Sequence, residues 1–271
     1  MLLAFPPGER SKTRATKQQL EDRLLDSGFD RHGCIVALGG GISLDLAGFI
    51  AATYMRGVDH VNIPTSLLAQ VDACVGGKTG VNTPAGKNLI WAFHQPAAVL
   101  VDPYYLDTLP APQWPGGLAE LIKHAVIAEP ELMDWLESHA ADLCGPPWQA
   151  GDHPIVRGVA IKGDIVERDE LEHGLRSVLN YGHTVGHALE KASQHELGHG
   201  QAVAIGMVVE GHVAGDLCGF PRNELQRLCR LLQAVGLPTR PPEPADFDGL
   251  LPFLRSDKKR RDETVQLALP A

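Results

Sequence analysis

Histidines are concentrated in one stretch of this chain. Six of the twelve lie between positions 173 and 212, and two of these, His183 and His187, are four residues apart in NYGHTVGHALEKA. At that spacing both imidazoles lie on one face of a helix. Zinc favours imidazole nitrogen and carboxylate oxygen, and a catalytic zinc site has three protein ligands and one open position. His183, His199 and one carboxylate would supply such a site.

The best candidate for the carboxylate is Glu120, in GGLAELIKHAVI, because Lys123 follows one turn later on the same helical face. The alternative is a set of surface or core histidines that binds no metal. The density of histidines and the flanking glycines, which let backbone or ligand approach closely, leave the two interpretations about equally supported.

Two glycine-rich loops could bind phosphate groups. Gly39, Gly40 and Gly41 separate a strand-like from a helix-like segment, as in the pyrophosphate turn of a dinucleotide site, although they do not form GxGxxG and a turn without a ligand would look the same. The second loop, QVDACVGGKTGVNTPAGKN (70–88), contains GGKT, but Asp72 stands where a Walker motif needs glycine. A nucleotide triphosphatase is therefore disfavoured.

Several cations lie in glycine-, amide- or histidine-bearing segments rather than in solvated charge runs. They are Arg56, Lys78, Lys87, Lys123, Lys162 and Arg176. Each alone is more typical of a surface residue, but together they would bind a substrate that carries phosphate and carboxylate. The formal net charge is -9, so a nucleic-acid or anionic-membrane surface is disfavoured. An anion site must then be a local basic pocket.

The first hundred or so residues alternate helix-like and strand-like segments. Helical patterns cover 11–27 and LDLAGFIAATYMRG (44–57), and strand patterns cover Cys34–Leu38, VNIP (61–64) and Ala97–Asp102. This alternation predicts a parallel, doubly wound sheet. Only about thirty residues precede Cys34, whereas one βαβ unit needs roughly 30 or more, so the first half of the expected nucleotide-binding sheet is missing.

After Pro110 the pattern becomes helical. Helices are predicted over 113–140, 154–172, 183–195, 200–219 and 222–236, with a turn-rich loop at 144–154 and a late strand at 264–269. The predicted fold is α/β: an incomplete Rossmann-like NAD-binding domain, residues 1–110, followed by an all-helical domain for zinc and substrate, residues 111–271.

Composition restricts the class of protein. The chain has 271 residues, of which 44% are hydrophobic and 21% charged, as in ordinary globular proteins. No apolar run approaches a membrane span, and the N-terminal stretch does not resemble a signal peptide. Five scattered cysteines without CxxC spacing indicate free thiols in a reducing compartment, so a cytoplasmic location is expected. The cysteines are Cys34, Cys74, Cys144, Cys218 and Cys229.

From PPGERSK (6–12) to DKK (257–259), the chain resembles the 3-dehydroquinate synthases, within the sugar-phosphate cyclases. The stretches that carry the resemblance are GGGISLDLAGFIAATYMRG, QVDACVGGKTGVN, GKNLI, GLAELIKHAVI, LRSVLNYGHTVGHALE and GHGQAVAIGM. The resemblance implies a two-domain homodimer with its site in the cleft between the domains. It also implies conversion of 3-deoxy-arabino-heptulosonate 7-phosphate to 3-dehydroquinate and phosphate, with NAD used and regenerated in each turnover.

The same resemblance implies roles for individual residues. Zinc, or cobalt, would be held by Glu120, His183 and His199. Asp72, Lys78 and Lys123 would surround the reacting hydroxyls, with Asn88 and His187 near the phosphate and Lys87 also binding substrate. Lys162, Arg176 and Asn180 would hold the carboxylate side, Lys258 or Lys259 would close over the site, and Arg56 would come from the other subunit. The cofactor positions are Glu9, Lys12, Gly39, Gly40, Gly41, Asp45, Thr65 and Ser66.

The chain also departs from the family pattern. Leu44 and Trp91 stand where glycine is usual, and Gln201 stands where glutamate is usual. N-terminal strands and the extreme C-terminus are absent, and we therefore expect a shortened gene model, a fragment or a degenerate copy. Two alternatives stay open: a sister cyclase of secondary metabolism and a catalytically silent paralogue. The set Lys162, Arg176, Asn180 and His187 favours the dehydroquinate reaction over a sister cyclase.

Overall fold

The computed structural model describes residues 1–143, 145, 151, 153–194, 196–242, 247–255 and 265–270. The chain divides into two compact units, Met1–Tyr105 and Leu106–Ala271. The boundary therefore precedes Pro110, the residue after which the sequence pattern becomes helical.

The first unit is built around a parallel sheet. Its elements are α1 (Arg14–Asp26), β1 (Cys34–Gly39), α2 (Gly41–Thr53), β2 (Asp59–Pro64), β3 (Lys78–Thr83), β4 (Gly86–Phe93) and β5 (Ala98–Val99). The strand order in the sheet is β1-β2-β5, and both pairs are parallel. Helix α2 connects β1 to β2, as the alternation of strand and helix predicts.

An antiparallel hairpin replaces most of the second predicted glycine loop. Strands β3 and β4 pair from Lys78 opposite Phe93 to Val81 opposite Ile90. The interpretation of 70–88 as a loop was wrong over β3 and the start of β4, because glycines and asparagine conceal the alternation. Val81 is fully buried against α2, so one face of the hairpin belongs to the core of the unit.

The apolar core of the first unit is formed by residues at helical spacing. Leu20 and Leu24 of α1 pack with Leu46, Phe49 and Ile50 of α2, and all five side chains are buried. Spacings of three and four residues place each set on one helical face, so burial of apolar surface fixes both helices against the hairpin.

The regular secondary structure in the described part of the second unit is helical. Its helices are α3 (Trp114–Ala128), α4 (Pro130–Ser138), α5 (His153–Arg168), α6 (His183–Ala192), α7 (His199–Cys218), α8 (Arg222–Ala234) and α9 (Phe247–Arg255). The five predicted helical stretches are confirmed, and α9 was not predicted. The late strand predicted over 264–269 was wrong for residues 265–269, which are irregular. A strand needs a hydrogen-bonding neighbour, and the described part of this unit offers none.

Helices α6 and α7 approach each other closely at glycine. A Cβ atom added to Gly206 of α7 would lie 1.9 Å from the carbonyl oxygen of Gly182, the residue before α6, and one added to Gly186 would meet the backbone of α7 at 3.1 Å. Because only glycine lacks Cβ, these positions let the two backbones touch. The N-terminal ends of both helices carry histidines, and this packing helps to bring the imidazoles together.

None of the helices described in the chain is long and apolar enough to cross a membrane.

Candidate active site

Three side chains of the second unit converge as a metal site requires. Glu120 lies in α3, His183 is the first residue of α6 and His199 is the first residue of α7. The Oε1 atom of Glu120 lies 3.3 Å from His183 Nε2 and 3.2 Å from His199 Nε2. All three ligand atoms lie within 4.8 Å of one another. We call these three residues the metal centre; two imidazole nitrogens and one carboxylate oxygen form a donor set that suits zinc.

Glu120 is held in place by Lys123, one turn later in α3. Both side chains are buried, and the Lys123 ammonium pairs with Oε2 of Glu120. Burial by itself would raise the pKa of Glu120, but Lys123 and the two histidines outweigh it and hold that pKa well below its usual range. The carboxylate is therefore ionised, with Oε2 bound to lysine and Oε1 turned towards both imidazoles.

The second nitrogen of each imidazole is also bound. His183 Nδ1 lies 3.2 Å from the carbonyl oxygen of Tyr181, and His199 Nδ1 lies 3.3 Å from Oε2 of Glu190. Such contacts fix which nitrogen faces a metal. Burial lowers the pKa of His183, against the opposing effect of Glu120. Burial would also lower the pKa of His199, but its hydrogen bonds with Glu120 and Glu190 raise it to about 10.

His187 borders the metal centre. Its ring lies one turn beyond His183 in α6, and the two ring centroids are 5.4 Å apart. The ring centroids of His187 and His199 are 6.3 Å apart. His187, Glu190 and His199 could also offer three ligand atoms within 4.8 Å of one another, so His199 is shared between two sets of donors.

The residues expected on the carboxylate side of the substrate lie on α5 and the turn before α6. Lys162 and Arg176 are buried, with 8% and 2% of their surface exposed. Arg176 donates to the carbonyl oxygen of Glu170, and Asn180 donates to Glu172 Oε1 at 2.9 Å. Both buried cations therefore belong to the helical unit that also carries the metal centre.

Asp169 shapes the start of that turn. Its carboxylate accepts hydrogen bonds from three backbone N–H groups, those of His173, Gly174 and Arg176, at 2.8 to 2.9 Å. These bonds, first that from Arg176, lower the pKa of Asp169 to about 2. The ionised side chain therefore fixes the backbone position of Arg176.

The glycine turn of the first unit has the geometry of an anion site. Gly39 ends β1 with φ +149°, and Gly41 begins α2. Gly40 precedes the helix without a side-chain cap, so the backbone N–H groups of the first turn of α2 are not capped by this residue. Thr65 donates its backbone N–H to the carbonyl oxygen of Gly39 at 2.9 Å, and Ser66 lies beside Gly40.

Four of the predicted cofactor and substrate residues form one polar network beside α2. Lys12 is 3% exposed; it pairs with Asp45 and donates to Asn88 Oδ1 at 2.7 Å. Asn82 connects Glu9 to Asn88, because it donates to Glu9 Oε1 at 2.6 Å and accepts the Asn88 backbone N–H at 3.0 Å. The network links the segment before α1, helix α2 and the hairpin.

Four of the remaining predicted residues belong to the first unit. Asp72 is half-buried in the helical turn Ala69–Ala73, and Lys78 and Lys87 are exposed on the hairpin. Arg56 is exposed in a turn with φ +72°. Lys258 and Lys259 lie outside the described residues.

Comparison with known proteins identifies the family. The profile described as 3-dehydroquinate synthase N-terminal matches residues 2–115, and the profile described as 3-dehydroquinate synthase C-terminal matches residues 117–260. The chain belongs to the 3-dehydroquinate synthase family. It is 45% identical to the 3-dehydroquinate synthase of Nostoc punctiforme over 98% of this chain and 74% of that protein. It is 47% identical to the 3-dehydroquinate synthase of Halorhodospira halophila, over 97% of this chain and 74% of that protein.

Solved structures of related cyclases share the fold. A 2-epi-5-epi-valiolone synthase from Streptomyces hygroscopicus subsp. jinggangensis, solved with NAD+ and Zn2+, matches with TM-score 0.88 and 31% identity over 98% of this chain and 74% of that one. A 2-deoxy-scyllo-inosose synthase complexed with carbaglucose-6-phosphate, NAD+ and Co2+ matches with TM-score 0.85 and 32% identity, over 95% of this chain and 70% of that one. The α/β fold with a parallel sheet and a helical domain is thereby confirmed.

The three departures from the 3-dehydroquinate synthase pattern have local structural explanations. Leu44 is buried in α2 against Ala37 and Cys74, and Trp91 packs edge-on against Phe93 in the hairpin. Gln201 accepts the backbone N–H of Gly198 at 3.1 Å. Because that hydrogen bond caps α7 from its third residue, glutamine serves where a glutamate is usual.

Two polar residues that contact predicted site residues were missed by the sequence analysis. Glu172 accepts the Asn180 amide, and Glu190 contacts His199. Glu190 could have been found, because it lies seven residues after His183 and three after His187 on a predicted helix, and therefore on the same face.

Proposed function

We propose that this chain converts 3-deoxy-arabino-heptulosonate 7-phosphate to 3-dehydroquinate and inorganic phosphate. In this reaction a substrate hydroxyl is oxidised, phosphate is eliminated, the ketone is reduced, and the ring opens and recloses by an aldol step. The reaction is therefore redox-neutral overall, and NAD is regenerated in each turnover. Family membership at 43–47% identity to curated 3-dehydroquinate synthases supports this assignment.

The observation that carries the proposal is the convergence of Glu120, His183 and His199. Their ligand atoms come from three helices and meet within 4.8 Å. The carboxylate is ionised, and both imidazoles turn Nε2 towards it. This donor set fits Zn2+ or Co2+, which when bound would supply Lewis-acid polarisation of substrate hydroxyls.

Basic side chains of the same unit would orient the substrate. Lys162 and Arg176 are buried cations that suit a carboxylate or phosphate oxygen, and Asn180 can donate to a hydroxyl. Lys123 Nζ, already beside the ionised Glu120, can hold a proton close to a reacting hydroxyl. His187, one turn beyond His183, would face the substrate phosphate. Fixing one conformer of a flexible sugar phosphate can contribute several kcal/mol to the rate.

The first unit would hold NAD. The uncapped start of α2 after Gly39, Gly40 and Gly41 suits a pyrophosphate, because backbone N–H groups and the helix dipole favour negative charge there. Asp45, Thr65 and Ser66 follow or face that turn, and Lys12 and Glu9 belong to the adjoining network. NAD, when bound, would accept and return the hydride.

The assembly and location that we propose are a homodimer in the cytoplasm. Arg56 is exposed on a turn of the first unit, as a residue that reaches a second subunit must be. Cys34 and Cys218 are exposed thiols, which suits a reducing compartment.

The test of the proposed function is phosphate release from the heptulosonate phosphate by the purified chain with NAD+ and Zn2+, together with detection of dehydroquinate. Release should stop with a chelator and fall at least 100-fold in His183→Ala. His212→Ala is the matched control, because His212 is an exposed histidine on α7, and it should retain activity. No release from a folded, zinc-loaded chain would contradict the proposal and indicate a catalytically silent relative.

A sister cyclase activity is the second candidate, because the solved structures with TM-scores of 0.88 and 0.85 are sister cyclases. The identity to them is 31–32%, below the 43–47% to curated dehydroquinate synthases. Turnover of the sister cyclases' sugar phosphates, and not of the heptulosonate phosphate, would favour that alternative.

A further inference from the structure

We propose that Glu190 is a positioning residue for the metal centre, which binds His199 through Nδ1 and thereby directs its Nε2 to the metal. The inference rests on the proposed function, since it assumes that Glu120, His183 and His199 hold the ion.

The geometry places Glu190 directly behind one ligand. Oε2 of Glu190 lies 3.3 Å from His199 Nδ1, while His199 Nε2 lies 3.2 Å from Glu120 Oε1. The imidazole is therefore held between two carboxylates, one on each ring nitrogen. When a metal ion takes the place of the proton on Nε2, the carboxylate at Nδ1 keeps the remaining proton there. Nε2 is then the nitrogen that offers its lone pair to the metal.

The two histidine ligands need different degrees of support. His183 Nδ1 contacts the backbone carbonyl of Tyr181, a neutral acceptor two residues away. His199 is the first residue of α7, and a third of its side chain is exposed. A ring at an exposed helix start can rotate, so a fixed external partner is required. Glu190, with a side chain that is 10% exposed, comes from the last turn of α6.

A charged partner also changes the chemistry of the ligand. A carboxylate at Nδ1 makes the imidazole more basic and a stronger metal donor than a carbonyl does. Glu190 therefore links the α6–α7 packing to metal affinity. His187, Glu190 and His199 could form a second set of donors, but in that arrangement Glu190 would be a ligand itself, and the chain would bind a second ion.

The experiment measures Zn2+ affinity by competition with a chromophoric chelator, together with metal content per chain and the visible spectrum of the Co2+ form. The variants are Glu190→Gln and Glu190→Ala. Lys191→Ala is the matched control, because Lys191 is the next residue in α6 and is exposed. Thermal unfolding of the metal-free proteins tests whether each variant is folded.

We expect one metal per chain throughout, and a dissociation constant that rises 10- to 100-fold in Glu190→Ala. Glu190→Gln should recover part of the affinity, because its amide oxygen still accepts from Nδ1, and the Co2+ bands should shift in Glu190→Ala. These effects should occur without a matching change in the unfolding temperature, which separates positioning of a ligand from general support of the fold.

Three results would overturn the proposal. Unchanged affinity and spectrum in both folded variants would remove the role of Glu190 and leave the metal centre intact. Two metals per unaltered chain, one of them lost on substitution, would make Glu190 a ligand. Absence of metal binding by the unaltered chain, and equally by His183→Ala, would overturn the metal centre and with it the role of Glu190.

Discussion

Glu210 of α7 accepts the backbone N–H of Gly182 at 2.7 Å through Oε2, and its Oε1 accepts that of Val185 at 3.0 Å. Glu210 is fully buried, and Gly182 is the residue before α6. The first N–H groups of a helix have no partner within the helix, and an anion there is favoured by the dipole. A side chain of one helix therefore caps the neighbouring helix that begins with His183.

Substitution of Glu210 by alanine should destabilise the chain by about 2–4 kcal/mol, because two N–H groups at the start of α6, one of them in a buried hydrogen bond, lose their charged acceptor. Glu210→Gln keeps one oxygen acceptor and should cost less. Denaturant unfolding of the metal-free chain measures both. The control is Glu196→Gln, at an exposed position between α6 and α7, with an expected change within about 0.5 kcal/mol. Equal stability of Glu210→Ala and the control would refute the capping role.

Gly206→Ala should separate α6 from α7. Its Cβ would lie 1.9 Å from the carbonyl oxygen of Gly182, a backbone atom that cannot rotate away. We expect a loss of several kcal/mol of stability and weakened Zn2+ binding, since His183 would shift. Gly215→Ala is the matched control on the same helix, because its Cβ would meet only Phe220 O, at an ordinary 3.5 Å. That variant should be stabilised by up to about 1 kcal/mol through helix propensity.

Some of this architecture could be predicted from the sequence because the signals are local. Helix α2 and helices α3 to α8 show apolar spacing, and the pairing of His183 and His187 on one face depends only on a four-residue interval. The hairpin β3–β4 could not be seen, because glycines interrupt its pattern of alternating residues. The contribution of Glu210 depends on tertiary contact between two helices, which no interval in the sequence encodes.

The imidazole of His60 should titrate far below an ordinary histidine. It is 1% exposed in β2, stacks on His94 with ring centroids 5.2 Å apart, and neither ring nitrogen has a hydrogen-bond partner among the described residues. Burial and the neighbouring His94 lower the pKa to about 4, against a small opposing effect of Asp59. Histidine NMR should show one resonance that titrates near pH 4 and is absent in His60→Leu.

The same shift has a consequence for stability. The folded chain resists protonation of His60 until pH is near 4, whereas the unfolded chain takes up that proton near 6.5. The resulting contribution of neutral His60 to the free energy of unfolding is present above pH 6.5. It falls by roughly 1–3 kcal/mol as the pH drops towards 4. His60→Leu should lose less stability than the unaltered chain over that interval. Parallel pH profiles of the two proteins would show that His60 has no part in it.

The pairing of Lys12 with Asp45 should show strong energetic coupling. Lys12 is 3% exposed, and its ammonium binds both the Asp45 carboxylate and Asn88 Oδ1. Removal of one partner from a buried pair leaves a charge without compensation. Lys12→Met and Asp45→Asn should each lower stability, and the double variant should lose about 1–3 kcal/mol less than the sum. Urea unfolding of the unaltered chain and the three variants measures the free energies of unfolding for this double-mutant cycle. Arg10→Met, at an exposed position two residues before Lys12, should change stability little. If the two losses instead add within about 0.5 kcal/mol, the ion pair does not hold α2 to the segment before α1.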